Sequence, residues 1–332
     1  MKGSWRDAGL RFSRGGPLFG TMHEDAAVEC KLLVPGGRAA CVLSAGDVAF
    51  ELLRAGAGEV AAADPNPNQH ELVNIKIDLA RQGRSVAEVA GVRFCDAASD
   101  LSNAEPWHLR PVLAGGSVDL RLRSIARWVT PWVLGTSETQ NFITSFERPR
   151  WRLAWWMLAW AVRLFFPPWY RRHLPPDFIQ RLRRRFENGC LRHDPDSNPL
   201  LQRLLSITEK NAEWAWEPTW PPQDEIVLNR LHLHVGILSE LADRGKFDLV
   251  SASNILDTQP RTSLRPLLDA FHDSVNPGGW LVLRSLFWQA LEWPEPSKGW
   301  VLHSRATAEA RQIDRAPLCQ ISAVFQRVAD QE

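Results

Sequence analysis

The sequence predicts an α/β protein with a doubly wound, mostly parallel sheet and a long helical insertion. Three observations predict it. Residues 36–82 read as strand, glycine turn, helix, strand and helix; residues 229 to about 287 repeat that alternation; and the interruption between them, residues 98–225, is too long for a structureless loop in a compact domain.

In chain order, Gly36-Gly37 is a turn and residues 38–44 (RAACVLS) form a short buried strand. Ala45-Gly46-Asp47 opens a helix over 48–54, Ala57-Gly58 turns the chain, and 59–63 (EVAAA) is a second apolar strand. It ends at Asp64-Pro65-Asn66-Pro67, and 68–82 has helical spacing at Leu72, Ile75 and Leu79. In the insertion, the strongest helix is 144–166, stopped by Pro167-Pro168, with shorter ones at 175–187 and 199–211. Beyond it, 231–235 alternates as a strand, 237–243 is a short helix and 246–252 (KFDLVSA) is an apolar strand. Residues 261–274 look helical, Asn276-Pro277-Gly278-Gly279 is a turn, 280–284 (WLVLR) is a strand, and 320–328 supplies a last, edge strand. The domain division that follows is 1–97 with 226–332 as one α/β domain, and 98–225 as the insertion.

A net charge of +1 argues against general nucleic-acid binding, because neutralising phosphates needs a basic excess. Basic residues are nonetheless crowded locally, at Arg171, Arg172, Arg181, Arg183, Arg184 and Arg185. Cys30, Cys41, Cys95, Cys190 and Cys319 are scattered without a CxxC pair, so reduced, mostly buried thiols in a cytosolic protein are expected and no metal site is. Residues 1–20 carry Arg6, Arg11 and Arg14 and no apolar core, so no signal peptide is expected. Sixteen Trp stand against one Tyr, Tyr170, which suggests aromatic walls or an interfacial surface.

The turn Ser44-Ala45-Gly46-Asp47 lies where such folds hold a ligand: small residues admit it to the backbone, and the helix start offers free N–H groups. Gly46 stands alone, unlike the dinucleotide GxGxxG pattern. Asp64 closes the second strand, placed either to accept hydrogen bonds from the two ribose hydroxyls of an adenosine or to cap the loop before Pro65, with Asn66 beside it. His234, Val235, Gly236 and Ile237 after the third strand would border the adenine. The loop Asn254-Ile255-Leu256-Asp257 would face the donor's far end or the acceptor; Asn254 and Asp257 fit equally as turn residues.

These residues resemble the family of S-adenosylmethionine:diacylglycerol 3-amino-3-carboxypropyl transferases, which begin betaine-lipid synthesis, and their bacterial relatives. The likeness runs through His23-Glu24-Asp25 with Glu29, residues 42–53 (VLSAGDVAFELL), 61–80 (AAADPNPNQHELVNIKIDLA), 247–257 (FDLVSASNILD) and 276–285 (NPGGWLVLRS). Asp314-Arg315 before the final strand also fits, while the insertion matches only in its Trp/Arg-rich helix and its length. Two positions depart: the family usually has Gly-Gly-Cys where this chain has Ala45-Gly46-Asp47, and an aromatic near Cys319. The resemblance implies the class I adenosylmethionine-dependent transferase type of sheet. It implies S-adenosyl-L-methionine as co-substrate, held by Ser44, Ala45, Gly46, Asp47, Asp64, Asn66, Gly236, Ile237 and Asn254. It further implies attack on the methionine γ-carbon by a lipid hydroxyl or small-molecule acceptor, releasing 5′-methylthioadenosine. A hydroxyl acceptor needs a base, for which His23, His234 and Asp257 are candidates in no order; for each His a solvated or structural imidazole is the alternative. Methyl transfer from the same donor and a non-catalytic adenosylmethionine-binding scaffold are the competing functions.

The helix at 144–166 has only ten residues between Arg152 and Arg163, too few to span a bilayer. It reads either as a core helix or as an interfacial helix flanked by Arg148, Arg150, Arg171 and Arg172. The expected location is cytoplasmic, with peripheral contact at the inner membrane face in the interfacial case.

Overall fold

Short apolar runs separated by glycine turns can bury both faces only inside a sheet covered on two sides. A computed structural model of the protein has that arrangement. The structure describes residues 22, 24–83, 143–165, 174–194, 197–198, 200–201, 221–257 and 259–329. A short helix α1 (Ala27–Leu32) leads into β1 (Arg38–Val42), α2 (Asp47–Arg54), β2 (Glu59–Asp64) and α3 (Pro67–Arg81). The insertion contributes α4 (Pro149–Phe165) and α5 (Phe178–Arg192), and α6 (Glu225–Leu228) returns the chain to β3 (Leu231–Val235). Then come β4 (Phe247–Ser251), α7 (Leu264–Phe271), β5 (Val275–Ser285), β6 (Trp300–Leu302), α8 (Ser304–Ile313) and β7 (Gln320–Arg327).

The seven strands form one sheet in the order β3-β2-β1-β4-β5-β7-β6. β3, β2, β1, β4 and β5 are parallel, and β7 runs antiparallel to both β5 and β6. The chain winds outward from β1 to β3 and then crosses back to β4, so the winding reverses between β1 and β4. One face packs Phe50, Leu52, Leu72 and Val73 of α2 and α3 over Cys41, Val60 and Leu249. The other packs Leu264, Leu268 and Phe271 of α7 over Phe247, Val250 and Leu281.

Three expectations are corrected. Residues 320–328 are no edge strand: β7 lies between β5 and β6, and its pattern is buried at seven of eight positions, as an inner strand's must be. The edge is β6, three residues long, too short to show a period. The helix expected from 144 starts at Pro149 because Arg148, preceding a proline, is held extended (φ −71°, ψ 142°) and interrupts it. The Asn276–Gly279 turn is instead part of β5, an irregularity that lets Val275 pair with Phe247 and Trp280 with Leu249. Of the helix expected at 199–211, Leu200 and Leu201 are helical and the rest lies outside the described residues, as do Cys95, Tyr170, Arg171 and Arg172.

The described part of the insertion is joined to the sheet domain through α5. Trp151, Phe186, Cys190 and Leu201 make a small core of their own. Phe178 of α5 enters the main core, and buried Arg185 donates to the carbonyls of Trp288 (3.0 Å) and Gln320 (3.1 Å).

The deepest polar feature is Arg284 on β5, fully buried. Its Nε and Nη2 donate to Glu29 Oε1 (3.1 Å) and Oε2 (2.8 Å), and its Nη1 to Asp314 Oδ1 and the Cys319 carbonyl, both at 3.1 Å. Its Nη2 also meets the Asp25 carbonyl, and Glu24 Oε2 lies 3.8 Å from its Nε. Burial works against the guanidinium's charge, but Glu29, Asp314 and Glu24 outweigh it and hold Arg284 charged. Replacing Arg284 by Met would leave those carboxylates uncompensated, so Arg284→Met should cost about 3–5 kcal/mol of unfolding free energy in urea denaturation; unchanged stability would refute this role.

Candidate functional site

The parallel strands end along one edge, and the turns that follow β1, β2, β3 and β4 meet there. After β1 the chain passes through Ser44 at φ +44° and Gly46 at φ +89° before α2 begins. The second conformation requires glycine, and a Cβ at Gly46 would also sit 2.9 Å from the Phe50 ring. Helix α3 fixes this turn from above: Gln69 Nε2 donates to the Ser44 carbonyl and Lys76 Nζ to the Ala45 carbonyl, both at 2.7 Å. Lys76 is 1% exposed, so its ammonium acts as a buried structural tie.

Across β1 from β2, the turn after β4 holds the second non-glycine residue with left-handed backbone, Ser253 at φ +51°. The two strained serines thus flank the point where the sheet winding reverses, and strain of this kind gathers at functional sites. The hydroxyl of Ser253 donates to Glu24 Oε1, and its carbonyl accepts from the Arg284 N–H (2.9 Å). Glu24 is 8% exposed, and its Oε2 has no hydrogen-bond partner. Burial pushes its carboxyl up to about 7, against the pull of Arg284 and Ser253. Its neighbour Asp25 goes the other way: burial would raise it, but three bonds from Arg315, at 2.7 to 2.9 Å, hold it below the usual range.

Asp64 ends β2, half-buried, with Oδ1 accepting the Asn66 N–H (2.8 Å). Burial pushes its carboxyl up to about 6, against the backbone N–H groups of Asn66 and Ser44. The loop-capping expectation is therefore met, and the same bonds aim the carboxylate at the β1 turn. Asn66 caps α3 by accepting from the Asn68 N–H (3.0 Å), while its own Nδ2, buried, has no partner. The Gly236 N–H donates to the Asp64 carbonyl at 3.1 Å, and Ile237, half-buried, follows it. Ser44, Ala45, Gly46, Asp64, Asn66 and Gly236 are thus brought together. Asp47 follows in the same turn, with its Oδ2 accepting the Met22 N–H (3.1 Å) and lying 3.8 Å from Lys76 Nζ.

The candidate bases separate. His23 lies outside the described residues. His234 accepts from Arg244 at Nδ1 (2.9 Å) and so donates from Nε2 to Glu240 Oε2 (3.0 Å). Asp257 accepts the Ser285 hydroxyl and the Leu286 N–H (2.7 Å), and burial pushes its carboxyl up to about 6 against those bonds, Arg185 and Asn254. Asn254 accepts at Oδ1 from Ser253 Oγ (3.3 Å). His234 belongs to β3, at one edge of the sheet, whereas Asp257 lies in the segment after β4, with β2 and β1 between the two strands. Glu24 and Ser253, not singled out as catalytic from sequence, occupy the centre. The His23-Glu24-Asp25 motif was the available signal for the first; nothing in the residue types marks the second.

No protein-family model matches the chain, and no curated protein matches it either. Its own geometry must carry the functional reading.

Because Glu24 keeps its proton in the fold to about pH 7 but releases it near 4.5 when unfolded, the native state binds more protons across that window. Stability contributed by this group is therefore complete below about pH 4.5 and lost as pH rises through about 7. Denaturation of the parent and Glu24→Gln across that range should show the parent losing stability relative to the variant; parallel curves would show that Glu24 titrates normally.

Proposed function

We propose that the chain binds S-adenosylmethionine along the carboxyl edge of β2, β1 and β4 and transfers its 3-amino-3-carboxypropyl group to a lipid hydroxyl or small-molecule acceptor. The observation that carries the reading is the Asp64 carboxylate held against the Ser44-Ala45-Gly46 turn, with the unpartnered Asn66 Nδ2 beside it. A ribose diol would donate to Asp64, and the single-glycine turn suits a donor without a pyrophosphate. The strand order, with reversed β7 between β5 and β6, supports the class I adenosylmethionine-dependent transferase type. The resemblance of residues 42–53, 61–80 and 247–257 supports the donor, and that of the chain at large favours the aminocarboxypropyl group despite the departure at Ala45-Gly46-Asp47.

In the reaction, the acceptor oxygen bonds to the γ-carbon, the C–S bond pair returns to sulfur, and the sulfonium charge is lost as neutral 5′-methylthioadenosine leaves. The acceptor's proton must go to a base. Glu24 fits that role: it is central on the edge, linked to Ser253, has one oxygen without a partner, and changes charge near neutral pH. Its ionised form is the competent one, so the rate rises with pH through about 7 and this limb disappears in Glu24→Gln.

One observation favours methyl transfer from the same donor. Asp47, at the departure from the family's Gly-Gly-Cys, is tied at Oδ2 to the Met22 N–H and lies near Lys76. Chromatography of the nucleoside product separates the readings: enzyme-dependent methylthioadenosine is expected, and S-adenosylhomocysteine alone would establish the methyltransferase. Absence of either, with donor bound, would leave a scaffold. Asp64→Ala should weaken donor binding by about 1.5–3 kcal/mol in titration calorimetry; equal affinities would remove Asp64 from the site.

A further inference from the structure

Helix α4 buries one side and leaves the other bare. Trp151 stacks on Phe146 (4.9 Å between centroids) and packs on Phe186 (6.0 Å), and Trp155 leans on the same Phe186 (5.8 Å). Trp151 Nε1 donates to Glu187 Oε1 at 2.7 Å, which pins the helix to α5. On the opposite side, Leu153, Trp156, Met157 and Trp160 are 42%, 57%, 44% and 46% exposed. Their spacing of three, four and seven residues puts all four on a single stripe.

The charges around that stripe name its occupant. Arg148, Arg150 and Arg152 are exposed. At about 100° per residue, Arg150 lies about 60° to one side of Leu153 and Arg152 about 100° to the other, so cations border the stripe on both flanks. Cations at a helix N-terminus oppose the macrodipole, so local helix energetics give no reason for Arg150 and Arg152 there. From 143 to 160 the only acidic residue is Glu147, so a second copy stacked on this face would set Arg150 and Arg152 of one copy against those of the other. An apolar stripe with Trp, bordered by arginine, suits a headgroup boundary whose phosphates are anionic. Among the described residues, no helix is long and apolar enough to cross a membrane.

We propose that the exposed stripe of α4 docks the protein flat on an anionic lipid surface, with Leu153, Trp156, Met157 and Trp160 in the headgroup boundary and Arg150 and Arg152 on lipid phosphates. The inference rests on the helix and not on the donor site, although it would bring that site to a lipid acceptor.

The test is co-sedimentation of the full chain with vesicles of phosphatidylcholine, with and without phosphatidylglycerol. Binding is expected only where phosphatidylglycerol is present, and it should fall as salt screens the arginines. The double variant Trp156→Ala/Trp160→Ala should lower the bound fraction roughly tenfold, with melting temperature and adenosylmethionine affinity unchanged. Arg150→Gln/Arg152→Gln should remove the preference for phosphatidylglycerol. Trp155→Ala, by contrast, should lower the melting temperature, because that ring is packed on Phe186. Failure to sediment with phosphatidylglycerol at low salt would overturn the proposal, as would undiminished binding by the double Trp variant. A concentration-dependent dimer that the double Trp variant abolishes, without vesicle binding, would assign the face to a second copy. Donor affinity measured on the same preparations keeps the fate of the enzymatic reading separate.

Discussion

The pairing of Arg284 with Glu29 and Asp314 is the interaction on which the rest of the structure depends. Taking a guanidinium out of water is tolerable only where carboxylates and carbonyls surround it, and here they come from two other parts of the chain. Glu29 brings α1, Asp314 brings the lead into β7, and Arg284 itself belongs to β5. With Glu24 ionised, three carboxylates would face one cation. The cheapest relief is for one to take a proton, and Glu24 is the one with an oxygen left unpaired and the longest approach, 3.8 Å, to the guanidinium. The same cluster therefore stabilises the fold and sets a proton acceptor beside Ser253.

The turn after β1 is built on different physics. Its carbonyls are held by Gln69 and Lys76, and its backbone by Gly46, so the cradle is set by α3 before any ligand arrives. Preorganisation of this kind spares a bound molecule the entropy of ordering the loop. It also explains why α3 carries a lysine on its inner face where an aliphatic residue would otherwise pack.

Much of this was legible from residue order. β1, β2 and β4 are continuous apolar runs between glycine turns, and Ser44, Gly46 and Asp64 fall at their ends, where position alone suggests a ligand. β6 and α1 were not legible, since three and six residues hold no period. The middle position of β7 follows from partners 23 to 46 residues away, to which local pattern is blind. Glu24 was visible only inside a motif; its role depends on a left-handed serine and an arginine far along the chain. Backbone strain leaves no trace in residue type when the strained residue is a serine.

The separation of Glu29 from Arg284, 255 positions in sequence, bears on how the molecule comes into being. On a ribosome adding about 5–20 residues per second, the nascent chain would expose the glutamate for roughly 10–50 s before its partner emerged. β1 must likewise wait for β4, since Ala39 pairs with Leu249. Until then the apolar face of α2 has β1 and β2 beside it but not Leu249 of β4. Synthesis of this protein therefore includes a long interval in which Asp25 and Glu29 stand without the arginines that later pair with them, and those acids become part of the buried cluster once the second half arrives.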